Sequence, residues 1–164
     1  MDLFCEASGG DKAGLAAVLF DEGQIAHTSM KPNEAMMKTL QERNDQQIMA
    51  LELHAIVLGV CTFREKLKGK NVRIWCDNAG GENVLRAGTA RSEDHNLIVH
   101  GIWLHALRCN YGICVERVCS KQNIADLPSR GTFEVLEAMG STTTAPCIDD
   151  AFFRPKEWKN VAMN

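Results

Sequence analysis

Between Leu3 and Thr28 the chain carries three apolar runs of strand length with only tight turns between them. Residues 3–7 run into Ser8-Gly9-Gly10-Asp11, residues 13–20 into Asp21-Glu22-Gly23, and residues 24–28 run on to Pro32. Connections this short cannot carry a parallel crossover, which needs a dozen residues or more, so the three strands form an antiparallel meander. A polar stretch, 33–44, separates the meander from the first long helix.

The rest alternates. Ile48, Leu51, Ala55, Ile56 and Phe63 share one face of a helix expected over about 45–66, and Gly59 on that face lets it approach the sheet closely. A buried-looking strand comes next at 72–76, then a short helix to Arg86 and a longer one from Ser92 to about Asn110. A fifth strand is expected at 113–118 and a last helix at 132–139. The order βββ-α-β-α-α-β-α predicts an α/β domain over residues 1–140: a five-stranded mixed sheet, antiparallel and then parallel, with helices on both faces. Residues 141–164 read as a tail, in which Phe152, Phe153 and Trp158 either dock back or meet a partner.

Composition bounds the setting. A chain of 164 residues suffices for one domain and needs no disulfide or zinc staple. Its seven cysteines contain no C-x-x-C pair and several lie in apolar runs, which reads as reduced, buried thiols. No apolar run reaches the roughly 18 residues of a membrane span, and no charged leader precedes the first strand, so the expectation is an intracellular protein of cytoplasm or nucleus with no membrane partner. Eighteen basic against 21 acidic residues give a net charge of −3, at first sight the wrong balance for a nucleic-acid partner.

Four of those acids sit where carboxylates are unwelcome. Glu6 lies within the first strand, Glu52 inside the apolar stripe of the long helix, Asp77 at the end of Val-Arg-Ile-Trp-Cys-Asp, and Asp126 just after Asn123-Ile124-Ala125. Each has an ordinary explanation alone: an exposed strand face, a lysine pair, a helix cap, a short helix capped by Asn123. Together they can converge at one place on the sheet, where they would repel one another unless cations were bound. Oxygen-only ligands select hard ions, Mg²⁺ or Mn²⁺.

The segments Phe4-Cys5-Glu6-Ala7-Ser8, Ala50-Leu51-Glu52-Leu53-His54-Ala55-Ile56, Ile74-Trp75-Cys76-Asp77-Asn78 and Asn123-Ile124-Ala125-Asp126-Leu127-Pro128-Ser129-Arg130-Gly131 resemble ribonuclease H. The likeness is to the domains attached to reverse transcriptases of gypsy, BEL/Pao and DIRS-type retroelements, and it spans about residues 3–131. It implies a ribonuclease H-like fold and hydrolysis of the RNA strand of RNA/DNA hybrids with two Mg²⁺ ions, Mn²⁺ substituting, to give 5′-phosphate and 3′-hydroxyl ends. Glu6, Glu52, Asp77 and Asp126 would be the catalytic metal ligands. Gly9, Gly10, Gln47 and Asn78 would meet 2′-hydroxyls, Lys121 a phosphate or proton, and a reverse transcriptase domain or another protein would be the protein partner.

Two departures stand out. The family's first carboxylate is an aspartate, and Glu6 replaces it. A misplacement of about 1 Å can cost on the order of a hundredfold in rate, so an alternative is a weakened or inactive ribonuclease H-fold module acting in nucleic-acid binding or assembly. The loop that often carries a histidine before the last carboxylate holds Ser120-Lys121-Gln122 instead. Two further patterns have ordinary readings. The basic run Arg64, Lys66, Lys68, Lys70 and Arg73 suits a helix C-terminus, and His95, His100 and His105, five apart, spiral round their helix and cannot share one metal.

Overall fold

The computed structural model describes residues 1–10, 13–42, 44 and 47–149. Phe152, Phe153, Trp158 and the expected helix start at Asp45 lie outside these residues. The meander forms as β1 (Asp2–Ser8), β2 (Gly14–Asp21) and β3 (Gln24–Met30), antiparallel throughout, with Glu6 opposite Ala16 and Val18 opposite His27. A single turn, α1 (Glu34–Lys38), occupies part of the stretch read as a polar connection, capped by the Asn33 side chain on the Met36 amide at 2.8 Å.

The long helix divides into α2 (Ile48–Thr62) and α3 (Arg64–Leu67) at Phe63, which leaves helical geometry. Then come β4 (Asn71–Cys76), α4 (Ala79–Ala87), α5 (Glu93–Cys109), β5 (Gly112–Arg117), α6 (Asp126–Ser129), α7 (Glu134–Ala138) and β6 (Thr142–Thr143). The strands form one mixed sheet in the order β5-β4-β1-β2-β3-β6, with β4 parallel to β1 and β5 parallel to β4. The sheet has six strands rather than the five expected. The sixth comes from the segment read as a tail, whose Thr144 N–H donates to the His27 carbonyl at 2.8 Å.

Alternation along β1 divides the core between the two faces of the sheet. Leu3, Cys5 and Ala7 belong to the main core shared with α2 and α5, whereas Phe4 packs with Val18, Ala125 and Leu136 on the face covered by α6 and α7. In α2 every residue from Ala50 to Cys61 is buried, not one stripe alone, because sheet, α4 and α5 all pack on it. Gly59 does sit at the closest approach: a β-carbon there would meet the Ala17 Cβ at 3.0 Å and Leu3 Cδ2 at 3.1 Å.

The remaining motifs resolve into structure. Lys70 pairs with Asp21 at 2.8 Å and Arg73 with Asp2 at 2.9 Å, so part of the basic run ties strands together. Trp75 stacks on Phe4 at 5.6 Å and Trp103 donates to the Leu85 carbonyl at 3.0 Å. All seven cysteines are unpaired; Cys5, Cys61 and Cys76 are buried, but Cys114, Cys119 and Cys147 are exposed, so the reading of buried thiols holds for only part of the set. Among the described residues no helix is long and apolar enough to cross a membrane.

Candidate active site

β1 and β4 run side by side, with Phe4 opposite Trp75; continued by two residues, that register sets Glu6 beside Asp77. Asp77 is the first residue past β4, at the C-terminal end of the parallel strands where open α/β sheets place their ligands. Glu52 comes from the second turn of α2. One carboxylate oxygen from each of Glu6, Glu52 and Asp77 lies within 4.8 Å of the other two, the only group of three potential metal ligands so arranged among the described residues.

The cluster is electrostatically costly by itself. Glu6 and Glu52 are only 6% and 4% exposed. Burial pushes both carboxyls well above the ordinary range; repulsion from Asp77 pushes both further, and Glu6 adds to the push on Glu52. The Glu52 Oε2 atom is buried with no hydrogen-bond partner. Buried acceptors are almost always satisfied, and an unpartnered carboxylate oxygen among like charges is one that a cation could satisfy. An all-oxygen donor set of this kind fits Mg²⁺ or Mn²⁺.

Asp126 stands next to this group rather than in it. It opens α6, near enough for its charge to add to the upward push on Glu6. Arg130, one helical turn on, contacts its Oδ1 through both Nε (2.9 Å) and Nη2 (2.8 Å). The structure therefore brings three of the four expected carboxylates together and holds the fourth alongside, paired with a guanidinium.

Two buried tethers bind the Asp126 segment to β1. Asn123 Nδ2 donates to the Cys5 carbonyl at 2.9 Å and to Glu6 Oε2 at 2.7 Å, while its Oδ1 accepts from the Ala125 N–H at 3.2 Å. Three residues beyond Asp126, the Ser129 carbonyl accepts from Ser8 Oγ at 2.8 Å, and Ser8 Oγ itself accepts from the Gly14 N–H at 3.0 Å. Gly14 is a requirement of this approach, since a β-carbon there would overlap the Ser129 carbonyl oxygen. Local sequence assigns Asn123 a capping role alone; its Asn-x-x-Asp spacing is the available signal for more.

The expected substrate-contacting residues fall in different surroundings. Gly9 and Gly10 are exposed at the β1–β2 turn, with Gly10 at φ 77°. Gln47, left-handed at φ 57°, precedes α2 and lines a cavity of about 500 Å³ with Gly10, Lys31 and Leu51. A second cavity of about 390 Å³ shares Lys31 and Ala13 with the first and reaches Ser129 and Arg130. Asn78 spends its side chain capping α4, accepting from the Gly81 N–H at 2.9 Å. Lys121 is exposed in a single 3₁₀ turn, Ser120–Gln122. Lys31, which borders both cavities, is absent from the expected set; nothing in its local sequence marks it.

No family model matches the chain, and no curated protein matches its sequence. Its structure is similar to that of RNase H1 from the halophilic archaeon Halobacterium salinarum, at 11% identity and a TM-score of 0.51, over 76% of this chain and 90% of that one. It is also similar to an N-terminal RNase H domain from Mycobacterium tuberculosis, solved as a fusion with maltose-binding protein. There the identity is 13% and the TM-score 0.55, over 85% of this chain and 94% of the other. At such identities the likeness is one of fold: the chain has a ribonuclease H-like fold.

Proposed function

We propose that the protein is a metal-dependent ribonuclease that hydrolyses the RNA strand of RNA/DNA hybrids, leaving 5′-phosphate and 3′-hydroxyl ends. One observation carries the reading: three carboxylates from β1, α2 and the end of β4 converge within 4.8 Å on a ribonuclease H-like fold, one of them with a buried, unpartnered oxygen. The four motifs that hold Glu6, Glu52, Asp77 and Asp126 favour the type of domain attached to retroelement reverse transcriptases, with a reverse transcriptase domain as the natural protein partner.

In this reading Glu6, Glu52 and Asp77 hold Mg²⁺ or Mn²⁺, and Asp126 completes the ligand set for a second ion. Bound there, the ions would lower the pKa of an attacking water and offset charge on the departing 3′ oxygen. The chain's own part is positional. β1 and β4 fix two carboxylates on a rigid parallel pair, and α2 brings the third in from above. Arg130 orients Asp126 through one oxygen. Gly9 and Gly10 at the β1–β2 turn and Gln47 before α2 would offer groups to 2′-hydroxyls, and the exposed Lys31 and Lys121 would offer cations to phosphates.

The test is cleavage of a labelled RNA/DNA hybrid by the full chain with Mg²⁺ or Mn²⁺, beside an RNA duplex, a DNA duplex and a chelator control. Hybrid-selective, metal-dependent cutting that Glu52→Gln and Asp77→Asn both abolish is the expected result. Cutting that survives either substitution removes the cluster from the mechanism. Hybrid binding without cutting would favour the other reading, a module whose catalysis has lapsed at Glu6.

A further inference from the structure

Glu6 occupies the position where an aspartate is expected, and its environment bears on whether the exchange is a defect. The side chain is one methylene longer than aspartate, yet its carboxylate reaches the cluster and at the same time accepts a 2.7 Å hydrogen bond from Asn123 Nδ2. Asn123 is 4% exposed, and its amide is fixed by contacts on both sides. The second Nδ2 hydrogen goes to the Cys5 carbonyl on the strand that carries Glu6, and Oδ1 accepts from Ala125 next to Asp126. An amide held at both ends cannot follow a carboxylate that retreats.

We propose that Glu6 and Asn123 are a matched pair, in which Asn123 is the positioning residue that makes a glutamate the working carboxylate on β1. Shortening the side chain to aspartate withdraws the carboxylate by roughly the length of one C–C bond. That takes a 2.7 Å contact beyond hydrogen-bonding range and leaves a buried amide hydrogen without its acceptor. Restoring the expected aspartate therefore weakens the site instead of repairing it. The proposal rests on reading the carboxylate cluster as a metal site, and on nothing about cleavage.

The experiment is a Mn²⁺ titration of the full chain, read by calorimetry and by thermal stabilisation, for the parent, Glu6→Asp, Asn123→Ala, the double variant and Ser8→Ala. The last removes the other buried tether between β1 and α6 without touching a carboxylate. Hydrogen-bond partners of metal ligands are worth on the order of tenfold in affinity or more. Glu6→Asp and Asn123→Ala should each raise the Mn²⁺ midpoint about tenfold, the double variant by no more than either alone, and Ser8→Ala by less than about twofold despite a lower melting temperature.

A Glu6→Asp midpoint equal to or below the parent's overturns the pairing, and so does a double variant whose two effects multiply. An equal shift in Ser8→Ala reduces Asn123 to a structural tether and overturns it as well. Should Asn123→Ala fail to fold, Glu6→Asp decides alone. Hybrid cleavage measured on the same samples separates the two claims. A parent that shows these shifts but cuts nothing sinks the nuclease reading and leaves the pair standing. One that cuts, and binds Mn²⁺ more tightly after Glu6→Asp, does the reverse. A parent that binds no Mn²⁺ overturns both.

Discussion

Replacing Glu52 by glutamine keeps the shape of the side chain and removes one of three crowded carboxyls, and its effect should change sign with metal. Two unit charges 4.8 Å apart, the outer separation within the cluster, repel by about 3.5 kcal/mol at an effective dielectric of 20. At pH 8 the native carboxyl, raised to about 10, escapes that repulsion by keeping a proton its unfolded form has lost, a cost of folding that glutamine, neutral in both states, does not carry. Against this, the introduced amide finds incomplete hydrogen bonding at a cost of about 1 kcal/mol. A net stabilisation of about 2 kcal/mol remains for Glu52→Gln in chelator at pH 8, or roughly 4–8 °C in melting temperature for a chain of this size. At pH 5, close to the unfolded carboxyl's own value of about 4.5, keeping the native proton costs little and the gain should shrink toward zero. With Mn²⁺ at about 100 times the parent's dissociation constant the parent gains about 2.7 kcal/mol, whereas a variant binding 100-fold more weakly gains about 0.4, so the order closes and then reverses as metal rises. Thermal melts at two pH values, with and without Mn²⁺, read all four corners. A variant no more stable than the parent in chelator at pH 8 would refute the like-charge argument, and equal stabilisation of both proteins by Mn²⁺ would refute the metal assignment.

The same geometry sets three further outcomes. Glu6 and Glu52 have native pKa values raised above the unfolded value, so the native state binds more protons above about pH 4.5 and metal-free stability falls as pH rises from there. His54, lowered to about 4 by burial, acts in the opposite sense and costs stability as pH falls below about 6.5. Metal-free melting temperatures should therefore peak in the weakly acidic range, and saturating Mn²⁺ should flatten only the alkaline limb. Gly14→Ala, which forces the Ser129 carbonyl aside, should cost about 1–3 kcal/mol in denaturant melts and, like Ser8→Ala, move the Mn²⁺ midpoint by less than about twofold, since it alters no ligand. Gly59→Val drives a larger side chain against Ala17 and Leu3 and should cost a similar amount, with the Mn²⁺ midpoint unchanged.

The range of each interaction decides whether the sequence reveals or hides it. The meander is legible because turn chemistry and alternation are local, and Glu6, Glu52, Asp77 and Asp126 are legible because a charge in an apolar pattern stands out. β6 is not, since a two-residue strand held by backbone pairing to Ala26 and His27 leaves no side-chain periodicity. The burial of α2 on all sides, His54 included, depends on α4 and α5 arriving from elsewhere in the chain. Asn123 is half legible: its contact with the Ala125 amide is local, but the one with Glu6 spans 117 positions. Lys31 borders its cavities only after β3 has been paired and α2 packed.

The net charge of −3 gains a different meaning from these placements. Setting aside the four acids of the candidate site leaves 17 acidic against 18 basic residues, so the acidic excess resides in the cluster rather than over the surface. A fold that concentrates repulsion at one point must hold that point from outside it. Here the restraints are short and uncharged: Asn123 on the Cys5 carbonyl, Ser8 on the Ser129 carbonyl, and the bare α-carbon of Gly14 beneath it. None relieves the charge. They prevent β1 and α6 from separating to relieve it, which keeps the repulsion available to be offset by a bound cation. The remaining balance near neutrality supplies little long-range attraction for a polyanion, so hybrid affinity should fall to a few local cations, Lys31, Lys121 and Arg130 among them, or to a partner domain.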